Sequence, residues 1–303
     1  MSIAPLGSSS RATPARWRKR VQEPAPPGLF GVRSWTKTRF AMACVFGAVS
    51  VFPLLYMISL SFQPTGDIGS ARTTLIPSHP TTLNYRQAWA ENSFSHYFLN
   101  SLGVSIATVV VTVVFASLAA FAFARYSFRF KEVIFYLLLI SLSVPSVDLI
   151  IPQYVEMARL HLNDSLPGLV MLYVSENLAF SIFLLRGFFE AIPKELEESF
   201  RLEGARTLKV LTGLIAPLSI PALAVVAVLT FNFAWEEPVI AYTLINHTGR
   251  YTLPIALMNF QSQHTTQWGS LFAGSMIATI PTIIVYIVAQ RWFRNGVSVG
   301  GVR

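Results

Sequence analysis

FFEAIPKELEESFRLEGARTLKVLTGLIAP, residues 188–217, is a charged, helix-forming stretch set between two apolar ones. Pro193 suits the first position of a helix, and Glu195, Glu197 and Glu198 follow where unpaired backbone N–H groups leave the positive end of the helix dipole. Glu197 and Arg201 stand one turn apart and are expected to pair on the surface, with Leu196 and Phe200 as a small apolar face on the opposite side. Gly204 is a natural stop, because a residue without Cβ can take the left-handed conformation that ends helices. A second short helical piece is expected over 205–211, and Pro217 should open the next apolar stretch. Taken alone, the segment also fits a helix lying on a membrane surface.

The flanks remove much of that ambiguity. The chain has 303 residues, of which 53% are hydrophobic and 13% charged, and its mean hydropathy is +0.52, the balance of a polytopic membrane protein. A span needs about 20 mostly apolar residues. Six such stretches can be read, at 40–62, 97–124, 133–155, 169–185, 218–235 and 269–292, the fourth and fifth being the shorter ones. Hydrocarbon offers no partner to a bare backbone, so these must be helices; the alternation of a β-barrel is missing. The expected fold is therefore all-α and integral to the membrane.

The net charge of +8 is not a nucleic-acid footprint, because its distribution follows topology. With six spans, 19 of the 23 Lys and Arg residues fall on the side that carries both termini, against Arg72, Arg86, Arg159 and Arg250 on the other. The positive-inside bias then predicts both termini in the cytoplasm and an attraction to anionic membrane lipid. Residues 1–39, rich in Ser, Pro, Ala and Arg, read as a flexible basic cytoplasmic tail preceding a transmembrane domain over 40–303. Cys44 is the sole cysteine and lies in the first span, so no intrachain disulfide can form.

Within the spans, polar residues are few and costly, which makes them candidates for function. Asp148 lies between Pro145 and Pro152, whose rings bend helices and free carbonyls. Glu176 and Asn177 sit in the fourth span, and Asn232 and Trp235, followed by Glu236 and Glu237, at the end of the fifth. The small residues Ala116, Ser117, Ala119, Ala120 and Ala122, and Ser270, Gly274 and Ala278, mark faces for close helix packing.

Glu198-Ser199-Phe200, three residues, Gly204, nine residues, Leu214, one residue and Ala216-Pro217 resemble the EAA loop of permease subunits in binding-protein-dependent ABC importers. There the pattern is Glu-Ala-Ala, x3, Gly, x9, Ile, x, Leu-Pro. Glu198, Gly204, Pro217 and the spacing agree; Ser199, Phe200, Leu214 and Ala216 depart from it, and Glu203 stands where Asp is usual. Pro80-Thr81-Thr82-Leu83-Asn84-Tyr85, then Tyr97-Phe98-Leu99-Asn100-Ser101-Leu102, and the terminal Gly300-Gly301-Val302-Arg303 are similar to the sugar-type, maltose-type branch. Read from the residues alone, the first two runs are turn chemistry and a helix-capping Asn100.

The resemblance covers roughly residues 40–303 and implies a type I importer permease with six transmembrane helices and a cytoplasmic coupling helix, in a bacterial plasma membrane. It implies a second, homologous permease, a dimeric ATPase on the cytoplasmic side and an extracytoplasmic solute-binding protein touched by the outer loops. Glu197, Glu198, Arg201, Glu203, Gly204, Ala205 and Pro217 would belong to the ATPase-coupling loop. Asp148, Glu176, Asn177, Asn232 and Trp235 would line the path of a sugar or similar polyhydroxylated solute.

No Gly-x4-Gly-Lys-Ser/Thr loop occurs, so ATP and its Mg would reside on the partner ATPase and this chain would bind no cofactor or metal. No His-Glu-x-x-His or Gly-x-Ser-x-Gly arrangement points to catalysis. A proton-coupled secondary transporter using Asp148 or Glu176 is the competing expectation, although no repeat relates the two halves.

Overall fold

The computed structural model describes residues 37–296, apart from 71–72, 92 and 262–265. Most of the basic tail, Arg72, His264 and the terminal glycines lie outside the described residues. By its internal contacts the chain falls into two units, divided after Pro53. Among the described residues there is no strand beyond one isolated bridge, Gln261 with Thr266.

Helix α1 is Lys37–Ser61 and carries Pro53 inside it. The short α2, Leu83–Arg86, runs into a π-turn, Gln87–Glu91. Helix α3, Phe94–Arg125, has 32 residues, or about 48 Å at ~1.5 Å per residue, more than a bilayer core requires. The expected third span is not one helix. It is α4, Lys131–Ser141, and α5, Ile150–Arg159, joined through a tight 3-10 turn at Ser146–Leu149 and bent by 96°. Pro145 precedes that turn with an extended backbone, which accounts for the break.

Helix α6, Leu166–Glu190, is longer than its apolar stretch implied, because its polar ends continue the same helix. Ser165 caps it by accepting from the Gly168 N–H at 3.1 Å. Gly168 is there for closeness: a Cβ would lie 2.1 Å from the Leu162 carbonyl oxygen. After α6 come α7, Lys194–Leu202; α8, Thr207–Val210; a π-turn, Leu211–Ile215; and α9, Ala216–Leu218. An 83° bend then leads into α10, Ile220–Glu236. The break thus falls at Ser219, two residues beyond Pro217, which sits within α9 instead of opening the span. Helices α11, Val239–Leu244, and α12, Leu253–Asn259, precede α13, Trp268–Gly296.

Among the described residues four helices are long and apolar enough to cross a membrane, or up to six spans if each bent pair counts as one. In the unit from Leu54 onward, α3, α6, α10 and α13 make the bundle. Ala116 and Ala120 are fully buried, so the small face read from the sequence is where α3 packs. One apolar cluster, with Phe121, Leu185, Phe189, Val210 and Ile215, lies at the end of the bundle carrying residues 188–217. A second, with Leu169, Tyr173, Ile240 and Ile255, lies at the other end.

Candidate functional site

Helix α7 begins at Lys194, one position later than the sequence implied, with Pro193 just outside it in an extended conformation. It ends as expected, at Gly204, whose φ is +86°. A Cβ there would meet nothing within 4 Å, so the demand for glycine comes from the backbone and not from crowding.

Glu197 corrects the sequence reading. Its side chain is only 10% exposed, and it lies between two guanidinium groups. Arg125, the last residue of α3 and itself 5% exposed, approaches Glu197 Oε2 at 2.9 Å, while Arg201 Nη2 donates to Glu197 Oε1 at 2.9 Å. Arg125 Nη2 also donates to the Ile192 carbonyl at 2.9 Å, and Tyr126 Oη donates to Thr207 Oγ1 at 3.3 Å. The Glu197 carboxylate, with a contribution from Tyr126, holds the Arg201 guanidinium above its ordinary pKa. The inward face of α7 is thus Glu197 with Phe200, whose ring packs on the first apolar cluster, whereas Leu196 is exposed.

A second ionic junction sits beside it. Arg186 of α6 pairs with Glu132 of α4 at 3.1 Å and with Glu190 at 2.7 Å, its guanidinium 4.0 Å above the Phe135 ring. Residues 188–217 are therefore fastened to the end of α3 by the Arg125 contacts and to α6 through the first apolar cluster. Their outer surface carries Lys194, Glu195, Glu198, Glu203, Arg206 and Lys209 together with Leu202 and Leu208, all exposed, with Leu202 90% exposed. Ala205 is half-buried against the apolar cluster, and Pro217 is exposed.

Residues 112–299 match the family described as "Binding-protein-dependent transport system inner membrane component". The chain belongs to that family. This permease is 34% identical over 256 residues, 84% of its own length and 93% of the relative's, to the trehalose transport system permease protein SugB of Mycobacterium tuberculosis. It is 27% identical, over 89% of its length and 90% of the relative's, to the diacetylchitobiose uptake system permease protein NgcG of Streptomyces coelicolor. Its fold matches a chain from the crystal structure of a bacterial ABC transporter involved in the import of the acidic polysaccharide alginate. That match has a TM-score of 0.76 and 23% identity, and covers 85% of this chain and 95% of the other. The permease is a multi-pass membrane protein of the sugar-importer branch, and secondary transport is not favoured.

The five expected pathway residues do not form one cluster by direct contact. Trp235 of the permease is 2% exposed: its ring stacks on Phe231, meets Phe98 edge-on, and donates from Nε1 to the Ala278 carbonyl at 2.9 Å. Both its ring and its N–H are committed to the bundle. Asn177 donates to the Tyr173 carbonyl one turn back at 2.8 Å, and Asn232 has a buried Oδ1 without a partner among the described residues. Asp148 is exposed in the 3-10 turn. Glu176 accepts from Gln153 Nε2 of α5 at 2.6 Å.

Three contacts escaped the sequence. Asn84 is buried and donates to the Ser61 and Gln63 carbonyls at 2.9 and 2.7 Å. Asn100 caps nothing; from within α3 it donates to the Gly249 and Tyr251 carbonyls at 3.1 and 3.0 Å. Glu237 accepts from the N–H groups of Val239 and Ile240, at 2.7 and 3.0 Å, and so caps α11. Two amides read as turn or capping residues, and an acid two residues before a short helix, are the signals that hinted at them.

Proposed function

We propose that the chain is a non-catalytic permease subunit of an ATP-driven importer, coupled to a separate cytoplasmic ATPase through residues 188–217. The observation that carries this reading is the Arg125–Glu197–Arg201 cluster. It ties a short helix with an exposed outer face of apolar, acidic and basic residues to the end of a spanning helix. A push on that outer face by an ATPase is transmitted to α3 through Arg125, and to α6 through the shared apolar cluster. The exposed acids and bases give the loop an oriented electrostatic fit, and Leu202 and Leu208 give it apolar contact area.

In this reading both termini are cytoplasmic, ATP and Mg are held by two ATPase chains, and a second homologous permease completes the pathway. An extracytoplasmic binding protein delivers the solute, and the membrane is the bacterial plasma membrane. The names of the relatives support a saccharide cargo. The test is the assembled importer in vesicles carrying Glu198→Lys or Gly204→Val: ATP-driven uptake should be lost while membrane insertion and subunit assembly persist. Normal uptake in both variants would remove the coupling role.

A further inference from the structure

Ile106 and Val110 of α3, Ala227 of α10, and Ile284, Val288 and Trp292 of α13 line a cavity of about 300 Å³ in the unit from Leu54 onward. No lining residue carries a charge, a hydroxyl or an amide side chain. Ile106, Val110, Ile284 and Val288 are exposed, so the cavity is a groove open on the flank of the bundle and not a void inside it. Its rim is branched, whereas helices that meet closely in a membrane do so over small residues such as Ala116 and Ala120. A thin, flexible lipid tail suits it better than a second helix.

One end of the groove is charged. Trp292 closes it near the end of α13, and the Arg291 guanidinium lies 4.1 Å over the Trp292 ring. Among the described residues Arg291 has no carboxylate partner. The apolar stretch ends there, with Arg294 soon after, so this end lies at a membrane surface. The sequences of α3, α10 and α13 contain one acid, Glu236. It stands at the far end, since its neighbour Trp235 bonds the Ala278 carbonyl, thirteen residues before Arg291. Arg125 of α3, by contrast, is already neutralised by Glu197. Behind Arg291, at headgroup level, runs an apolar slot.

We infer that this groove binds an anionic phospholipid, one acyl chain lying between α3, α10 and α13 and the headgroup phosphate meeting Arg291. A tail gains little by exchanging other tails for aliphatic side chains, so selection among lipids rests on the headgroup. One arginine at a membrane surface favours an anionic lipid about fivefold. The inference needs only a bundle in a membrane and stands whether or not residues 188–217 meet an ATPase.

The experiment uses the permease purified with its partner chains and reconstituted in phosphatidylcholine vesicles. These contain a small, equal share of either phosphatidylglycerol or phosphatidylcholine bearing a photoactivatable diazirine on one acyl chain. After illumination, labelled peptides are mapped by mass. Phosphatidylglycerol should label the groove residues about fivefold more than phosphatidylcholine. Arg291→Gln, at an exposed residue, should bring that ratio to about one without lowering the phosphatidylcholine signal. Ala227→Phe, which fills the groove, should lower labelling by both lipids. Equal labelling in the parent, or a preference that Arg291→Gln leaves unchanged, overturns the inference. A groove that neither lipid labels, because a helix of the assembled complex covers it, overturns it as well.

Discussion

Glu197 and Glu176 are two carboxylates on neighbouring helices held in opposite ways. Glu197 is nearly buried and is met by two guanidinium groups; Glu176 is half-exposed and is met by one amide. A buried charge with complete partners is fixed in place and expensive to disturb. A half-exposed one held by a single amide has less to lose when it is changed. The difference separates a clamped ion pair from a single hydrogen bond between two helices, although both residues read from the sequence simply as acids on helices.

The strongest way to break this contrast is to remove the joint. Glu197→Ala leaves the Arg125 guanidinium buried without its counter-ion, which costs about 3 kcal/mol. Thermal unfolding of the purified complex should show the loss, with Arg125→Glu combined with Glu197→Arg recovering part of it. Glu176→Gln should leave the unfolding midpoint nearly unmoved, and equal losses at the two sites would dissolve the distinction. Gly204 comes next: with φ at +86°, Val should cost roughly 1–2 kcal/mol and sharply reduce coupled ATPase, whereas Asn, which tolerates this conformation, should retain most of it. Arg201→Gln, at a guanidinium 40% exposed, should cost at most about 1 kcal/mol in the same unfolding assay.

The smallest effect concerns Asp164, in the turn between α5 and α6. It accepts the N–H groups of His247 and Asn246 at 2.9 Å and pairs with Arg250 at 2.8 Å. The His247 N–H above all, then the Asn246 N–H and Arg250, keep its pKa below the ordinary 3.8 despite partial desolvation. A depressed carboxylate adds stability above its unfolded pKa and loses it as pH falls through the folded value. Hydrogen-exchange protection of the Asn246 and His247 amides should therefore hold at pH 5 and decline only below the usual carboxylate range. Asp164→Asn should lower that protection already at pH 5.

Much of the fold was legible because its rule is blunt: about 20 apolar residues make a span, and prolines at 145 and 152 warn of a break. Gly204 was legible because one backbone conformation nearly demands glycine. The Arg125–Glu197 pair was not, since the two residues are joined only by folding and each looks like an ordinary charge near a helix end. Trp235 shows the opposite failure. An aromatic at the end of a span reads the same whether it awaits a ligand or fills the bundle, and only its neighbours Phe98, Phe231 and Ala278 decide. Gln153 escaped because an amide in a bent span carries no pattern until its partner across the helix pair is known.

The claim on which everything turns is that residues 188–217 meet an ATPase on the cytoplasmic side. In a Cys44→Ser background, Leu202→Cys places one thiol at a point of that loop that is 90% exposed, and site-directed cross-linking in membranes of known orientation reads its neighbour. We predict a cross-link to the ATPase, strengthened or weakened by nucleotide. A thiol that stays uncross-linked in the assembled complex and reacts with a membrane-impermeant reagent from outside the cell would contradict the account.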